Sequence, residues 1–273
     1  MKIAIHSVFI AKENILFLEE WIDYHIQLGV DAFFLYDNSK VEKVNSFNAN
    51  KKWIIPGKIN KYNINFDELV KLSEDDIKNI LLKIQSKYKN VNIIEWSPKD
   101  DTGNICHFQE KAHTDLLAKL KKTDIDWCAS IDMDEYIVLK NKTLKDYIIN
   151  LDPKAYCCMI SQQRYDSRFN NIGIPVVTIN KVEKDTLDVK HSNKYIYNVK
   201  KTSSVKIHSC TGIGKAIHSK LNGIWFNHYK IDFNNPDYKY NTVENNMNPD
   251  IVNRVVNNYK EYFINLLDIP NGE

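Results

Sequence analysis

The chain is short of glycine and proline, with 8 and 7 in 273 residues, and has no repeat, low-complexity tract or interdomain linker. No segment approaches the ~18 uninterrupted apolar residues of a membrane-spanning helix, so no span is expected. An excess of one charge is missing too: 37 Lys and Arg face 35 Asp and Glu, a net charge of +2, and the lysines are spread along the chain. Nothing electrostatic therefore argues for nucleic acid as a partner. Cysteine is sparse and odd in number: Cys106, Cys128, Cys157, Cys158 and Cys210, with no C-x-x-C pair. That pattern argues against a disulfide framework and a zinc site, and for a reducing compartment. Cys157-Cys158 lie in an apolar run and read as core. Met1 to His6 lacks the apolar core of a signal peptide, so a cytoplasmic location is expected.

What is present is ordinary for a globular protein with a full core: 43% hydrophobic and 26% charged residues. The length allows one large α/β domain or two small ones. Ile3 to Ile10 reads as a buried strand, followed by a polar loop, Ala11 to Asn14. Ile15 to Leu28 reads as a helix with two apolar stripes and a polar face of Glu19, Glu20, Asp23 and Gln27. Asn14 can cap its start and Gly29 can end it. Val30 to Tyr36 then reads as a second buried strand. Short connections make this a β-α-β unit, which predicts a parallel sheet.

Residues 40–72 carry no clear pattern. Ser73 to Asp76 has the look of a capping box opening a helix. Val91 to Trp96 reads as a third strand, His107 to Leu120 as a helix, and Trp127 to Ile131 as a fourth strand. Tyr156 to Ser161 and Ile174 to Ile179 are further strand candidates, and Ser203 to Phe226 reads as loops and short strands. Asn248-Pro249 opens a last helix. Its stripe of Val252, Val255, Tyr259, Phe263 and Leu266 reads as core packing, with peripheral membrane contact as the lesser alternative.

The most informative stretch runs from Asp126 to Tyr136. An apolar run leads into Asp132, Asp134 and Glu135, which places three carboxylates at the carboxyl end of a strand. Ligands of open α/β sheets bind just outside such ends. On an extended chain, Asp132 and Asp134 would share a side and Met133 would point inward. Two carboxylates side by side suit Mg²⁺ or Mn²⁺ held with nucleotide phosphates. The bland alternative is a pair of acids capping a turn and facing water.

Six pieces then occur in order: Lys12-Glu13-Asn14; Glu20-Trp21-Ile22-Asp23-Tyr24-His25 with Gly29-Val30; Tyr36-Asp37-Asn38-Ser39; Gln109 with Ala112 and Asp115; Trp127 to Tyr136; and Asn227-His228-Tyr229. Together they resemble glycosyltransferases of family 92 and related family-2-like enzymes, over about residues 5–230. The departures are Glu13-Asn14 in exchanged order, Tyr136 in place of Phe, and Ser161 to Asp166 in place of an aromatic-glycine signature.

The resemblance implies a GT-A fold: α/β, Rossmann-like, with a mostly parallel central sheet flanked by helices. It implies one domain, with residues 1–136 as the nucleotide-sugar-binding half, 137–248 as the acceptor-binding half and 249–273 as a C-terminal helix. It also implies an inverting transfer from a UDP-sugar, by default a hexose, to a glycan or other hydroxyl acceptor, with Mn²⁺ or Mg²⁺. Carried onto this chain, Asp134 and His228 become metal ligands. Asp132 touches the metal through water or holds the donor ribose, and Glu135 supports the loop. Lys12, Asn14, Asp37, Asp101 and Gln109 are nucleotide-site candidates, and Lys200 and Lys201 are candidates for the diphosphate. Asp166 is the candidate base, with Glu183, Asp185 and Asp188 competing. His228 has a plain alternative as a core histidine, while His208 and His218 read as surface loop. Two other functions compete. One is a haloacid-dehalogenase-type phosphatase, which carries D-x-D after its first strand rather than its fourth. The other is a non-catalytic nucleotide or sugar binder on a transferase fold.

Overall fold

The structure is a computed structural model that describes residues 1–41, 70–139, 142–183, 193–218, 223–231, 240–242 and 247–267. Most of the unpatterned span 40–72, along with Asp185 and Asp188, lies outside the described residues, and so do the side chains of Phe263 and Leu266.

Strands β1 (Ile3–Phe9) and β2 (Ala32–Asp37) flank helix α1 (Ala11–Gln27), and they pair in parallel as the short connections predict. Next come α2 (Glu74–Lys87), β3 (Val91–Glu95), α3 (Gln109–Leu120) and β4 (Trp127–Ser130). Then follow β5 (Glu135–Leu139), α4 (Leu144–Ile149), β6 (Ala155–Ile160), β7 (Gln162–Asp166) and β8 (Lys181–Glu183). The remaining elements are β9 (Lys194–Asn198), β10 (Thr202–Val205), β11 (Cys210–Gly212), β12 (Lys215–His218), β13 (Ile224–Ile231), β14 (Tyr240–Thr242) and α5 (Pro249–Leu267).

The central sheet has the order β12-β6-β9-β4-β1-β2-β3. Every neighbouring pair in it is parallel except the two made by β9. This is the α/β class expected, with a mostly parallel sheet flanked by helices. A second sheet, β14-β8-β7-β13-β5, packs alongside it. Ile5, Trp21, Phe33, Ala129 and Ile137 belong to one buried apolar cluster, and Ala4, Tyr36, Leu116, Cys128 and Tyr197 to another. All five cysteines are buried and unbridged. No helix among the described residues is long and apolar enough to cross a membrane.

Several local expectations need correction. Helix α1 starts at Ala11, so the expected polar loop is its first turn and Asn14 is not its cap. The free Ala11 N–H is satisfied from outside, by Ser39 Oγ at 2.8 Å, while the Asn14 amide donates to Ile10 O at 2.7 Å. At the other end Gly29 does close the helix. With φ at 98° its N–H reaches Ile26 O, and Val30 N–H reaches His25 O, a Schellman pattern that a Cβ would strain.

The expected polar face of α1 is partly buried, Glu20 at 2% and Asp23 at 5% exposure. Helix α5 covers it: Asn258 donates to Asp23 at 3.2 Å and Arg254 to Gln27 at 2.9 Å. Of its expected stripe, Val255 and Tyr259 are buried and Val252 half-buried, with Ile251 and Tyr262 buried beside them. The capping box at Ser73 is present, with Asp76 completing it. Ile174 to Ile179 is not a strand. Val176–Thr178 forms a 3₁₀ turn whose Val177 N–H is taken by the Glu20 carboxylate at 3.2 Å.

Candidate functional site

The parallel register brings the carboxyl ends of β1, β2 and β3 to one edge, with Phe9 opposite Asp37 and Asp37 opposite Glu95. Strand β4 ends beside them, His6 opposite Ser130. Strand β9 runs the other way, so its first residue, Lys194, arrives at this same edge just past Tyr195, which pairs with Ser130. From the second sheet, β13 and β5 align His228 opposite Glu135.

Between β4 and β5 the chain does not stay extended. It turns, with Glu135 N–H donating to Asp132 O at 3.1 Å. Asp132 and Asp134 still meet at one cavity, but through a turn rather than through the alternation of an extended chain. Met133 is buried as expected, Asp132 meets Lys194, and Asp134 meets His228. The turn is held at every carbonyl. Asp132 O accepts from Glu135 N, Met133 O from the Arg168 guanidinium at 2.8 Å, Asp134 O from Tyr229 N at 2.9 Å, and Glu135 O from the Trp21 indole at 2.8 Å. The Glu135 carboxylate also accepts from Asp132 N–H at 2.8 Å. Such bracing fixes where the acids point.

Asp134, Glu135 and His228 are all buried, and one ligand atom from each lies within 4.8 Å of the others. His228 Nε2 is 3.4 Å from Asp134 Oδ2. Its Nδ1 is 2.9 Å from Gln162 Oε1 and 3.9 Å from Glu135 Oε1, so Nε2 faces Asp134 while Glu135 lies on the Nδ1 side. Burial pushes the imidazole pKa down, so the ring is neutral at neutral pH. Burial also pushes Glu135 up to about 8, against the pull of Lys194. An imidazole held by Gln162, with two buried acids close enough to offer ligand atoms together with it, fits a Mn²⁺- or Mg²⁺-type ion.

Asp132 has different partners. Its Oδ2 is 2.9 Å from the Lys194 ammonium, and its Oδ1 accepts from Gln109 Nε2 at 3.1 Å. Burial of the site opposes ionisation here, but the ammonium overrides it and holds the Asp132 carboxyl well below the usual range. Asp132, Asp134, Asn14 and Gln109 line a cavity of about 220 Å³, with Glu13, His107 and Arg168 on its walls. Gln109 opens α3 behind Phe108, whose φ of 38° turns the chain into the helix. Arg168 is buried, its guanidinium lying 4.7 Å from the Phe17 ring centre and donating to Asn14 Oδ1 at 2.6 Å.

The other expected residues sit as follows. Lys12 is in the first turn of α1 and half-buried. Asp37 accepts from Ser39 N–H at 3.0 Å and so shapes the loop that meets α1. Asp101 is exposed at the tip of the loop after β3, where Asp100 rather than Asp101 organises the turn through Thr102 and Asn104. His208 and His218 are exposed.

Two expectations are overturned. Lys200 and Lys201 follow β9 at the opposite edge of the sheet, where Lys200 donates to Lys121 O and Lys201 to Pro153 O. An antiparallel strand carries its two ends to opposite edges, so only Lys194 can serve the site. Asp166 is 5% exposed and accepts from Ser167 N–H at 2.8 Å and Asn170 Nδ2 at 2.9 Å. These contacts tie it to the 3₁₀ turn Arg168–Asn171, which Ser167 caps, and leave it buried rather than open to an acceptor. Among its described competitors, Glu183 is paired with Arg164 at 3.4 Å.

Sequence reasoning missed Lys194, Arg168 and Gln162. A lysine opening a short strand and an arginine after a serine carry no local signal. Only the pairing of β9 with β4 and of β7 with β13 brings them in.

No protein-family model matches the chain, and no curated protein does. Among solved structures the chain is similar to S. aureus TarS 1-349 in complex with UDP-GlcNAc, at 11% identity and a TM-score of 0.41, covering 98% of this chain and 72% of that one. It is also similar to S. aureus TarS 1-349 in complex with UDP, at 15% identity and a TM-score of 0.37, covering 73% of this chain and 47%, about half, of that one. A third is the inositol-1-phosphate CTP transferase from T. maritima, at 9% identity and a TM-score of 0.37, covering 96% and 97%. Likenesses at these TM-scores decide nothing about activity.

Proposed function

We propose that this chain is a nucleotide-sugar-dependent transferase: a metal-dependent, inverting glycosyltransferase of the GT-A kind that resembles family 92. It would move a sugar, by default a hexose, from a UDP-sugar to a hydroxyl of a glycan or similar acceptor. The observation that carries the reading is His228. Its Nδ1 contacts Gln162 Oε1 and its Nε2 faces Asp134 at the carboxyl-end edge of a mostly parallel sheet. That arrangement serves a hard cation beside an anionic ligand better than it serves a core histidine.

Asp134, Glu135 and His228 would hold the ion. The chemistry such an ion supplies when bound is neutralisation of charge on the departing diphosphate. Asn14, Gln109 and Asp132 offer amide and carboxylate groups to the nucleoside from the cavity wall. Arg168 adds a buried cation on the same wall. In the transfer, the acceptor oxygen bonds to the anomeric carbon as the bond to the diphosphate breaks, and the hydroxyl proton leaves to a base. The phosphatase reading loses its footing because β1 ends in Phe9-Ile10, with no carboxylate to act as its nucleophile.

Thermal shift with UDP tests the reading. UDP at 100 times its Kd should stabilise the protein by about 2.7 kcal/mol when Mn²⁺ is present. Equal stabilisation in EDTA would remove the metal from the proposal, and no response to any uridine nucleotide would remove the donor.

A further inference from the structure

Lys194 is a cation built into the acidic cluster. Its side chain is 4% exposed, and its ammonium lies 2.9 Å from Asp132 Oδ2 and 3.5 Å from Glu135 Oε2. We propose that Lys194 sets the affinity of this cluster for a divalent ion. It neutralises Asp132 and stands beside Glu135, where it repels an ion held there. The proposal rests on the reading of Asp134, Glu135 and His228 as a cation site.

The geometry supports it. The ammonium is nearer to Asp132 than to Glu135, so its charge is compensated mainly by Asp132. Asp132 also accepts from Gln109, so both its oxygens already have donors. The cation-facing group is thereby narrowed to Asp134, Glu135 and His228. An ammonium a few ångströms from an incoming ion repels it strongly in a partly buried site. Ion binding on its own is thus held weak, and an anionic ligand that faces both charges strengthens it.

The experiment is a calorimetric titration of EDTA-stripped protein with Mn²⁺ alone. It compares wild type with Lys194→Gln, Lys194→Met and Lys194→Arg, with circular dichroism and melting curves confirming the fold. The Gln variant keeps a hydrogen-bond donor and removes only the charge. Lys194→Gln and Lys194→Met should bind Mn²⁺ about tenfold or more tightly than wild type, since a nearby positive charge is gone. Lys194→Arg should behave as wild type. Folded Gln and Met variants that bind Mn²⁺ as wild type does, or more weakly, would overturn the proposal and leave the cation site standing. If wild type and all variants bind no Mn²⁺, the cation site itself falls, and this role with it. If neither charge-removing variant folds, Lys194 belongs to the fold and the proposal is overturned.

Discussion

The indole N–H of Trp21 donates to the carbonyl oxygen of Glu135 at 2.8 Å. One turn on, the Tyr24 hydroxyl donates to Ile137 O at 2.6 Å, and Ile137 N–H reaches His25 Nε2 at 3.4 Å. Three successive positions on one face of α1 thus grip alternate residues of β5. The motif from Glu20 to His25 builds the strand that aligns Glu135 with His228, and its side chains stay out of the cavity.

Replacing Asp134 with alanine should abolish transfer and leave the protein folded. Asp134 sits among Asp132 and Glu135, so its loss relieves like-charge repulsion. The melting temperature should hold or rise slightly. Near-normal turnover of a UDP-sugar by this variant would show that Asp134 is not the principal ligand.

Gln162→Leu should weaken Mn²⁺ binding by about 10–100-fold, the usual effect of removing the partner that orients a ligating histidine. The motive is the 2.9 Å contact from His228 Nδ1 to Gln162 Oε1. Fold and overall hydrophobic volume are kept, so a melting curve near that of wild type should accompany the loss. Unchanged affinity in the Mn²⁺ titration would return His228 to the core.

Asp166→Ala should act on stability. Ser167 N–H and the Asn170 side-chain amide would lose their acceptor, costing roughly 1–3 kcal/mol where such groups stay buried. For a chain this long that lowers the melting temperature by roughly 2–4 °C per kcal/mol. UDP and Mn²⁺ binding by the folded variant should persist. A stable variant that binds both ligands but cannot turn over would restore Asp166 as the base.

Glu20 gives the protein a pH dependence. Burial raises its carboxyl from the ordinary 4.5 to about 8. The folded form therefore prefers the protonated acid, and the unfolded chain releases that proton first. Between pH 4.5 and about 8 the folded state binds more protons, so stability falls as pH rises and then levels off. Glu20→Gln should flatten this slope and gain most over wild type above pH 8. Urea unfolding of both proteins at pH 5, 7 and 9 measures it; parallel pH profiles would show that Glu20 does not titrate in this window.

The parallel sheet was legible because apolar runs joined by short links permit little else. Asp132, Asp134 and His228 were legible as chemistry, since clustered acids and a histidine after a strand-like run stand out. Their separate partners were not, because the turn at Asp132–Glu135 breaks the alternation of an extended chain and sends Asp132 to Lys194 and Asp134 to His228. Lys201 misled for a related reason: strand direction decides which end of β9 reaches the site, and direction is a property of pairing. Asp166 looked like a free carboxylate because the amide groups that hold it, in Ser167 and Asn170, follow it in an irregular stretch.

The acidic cluster joins two separately hydrogen-bonded layers. Asp132 and Lys194 extend from strands of the central sheet, whereas Glu135, His228 and Gln162 belong to strands of the second. Anything that engages both groups works as a fastener across the seam. Its binding energy then adds to the work of parting one layer from the other.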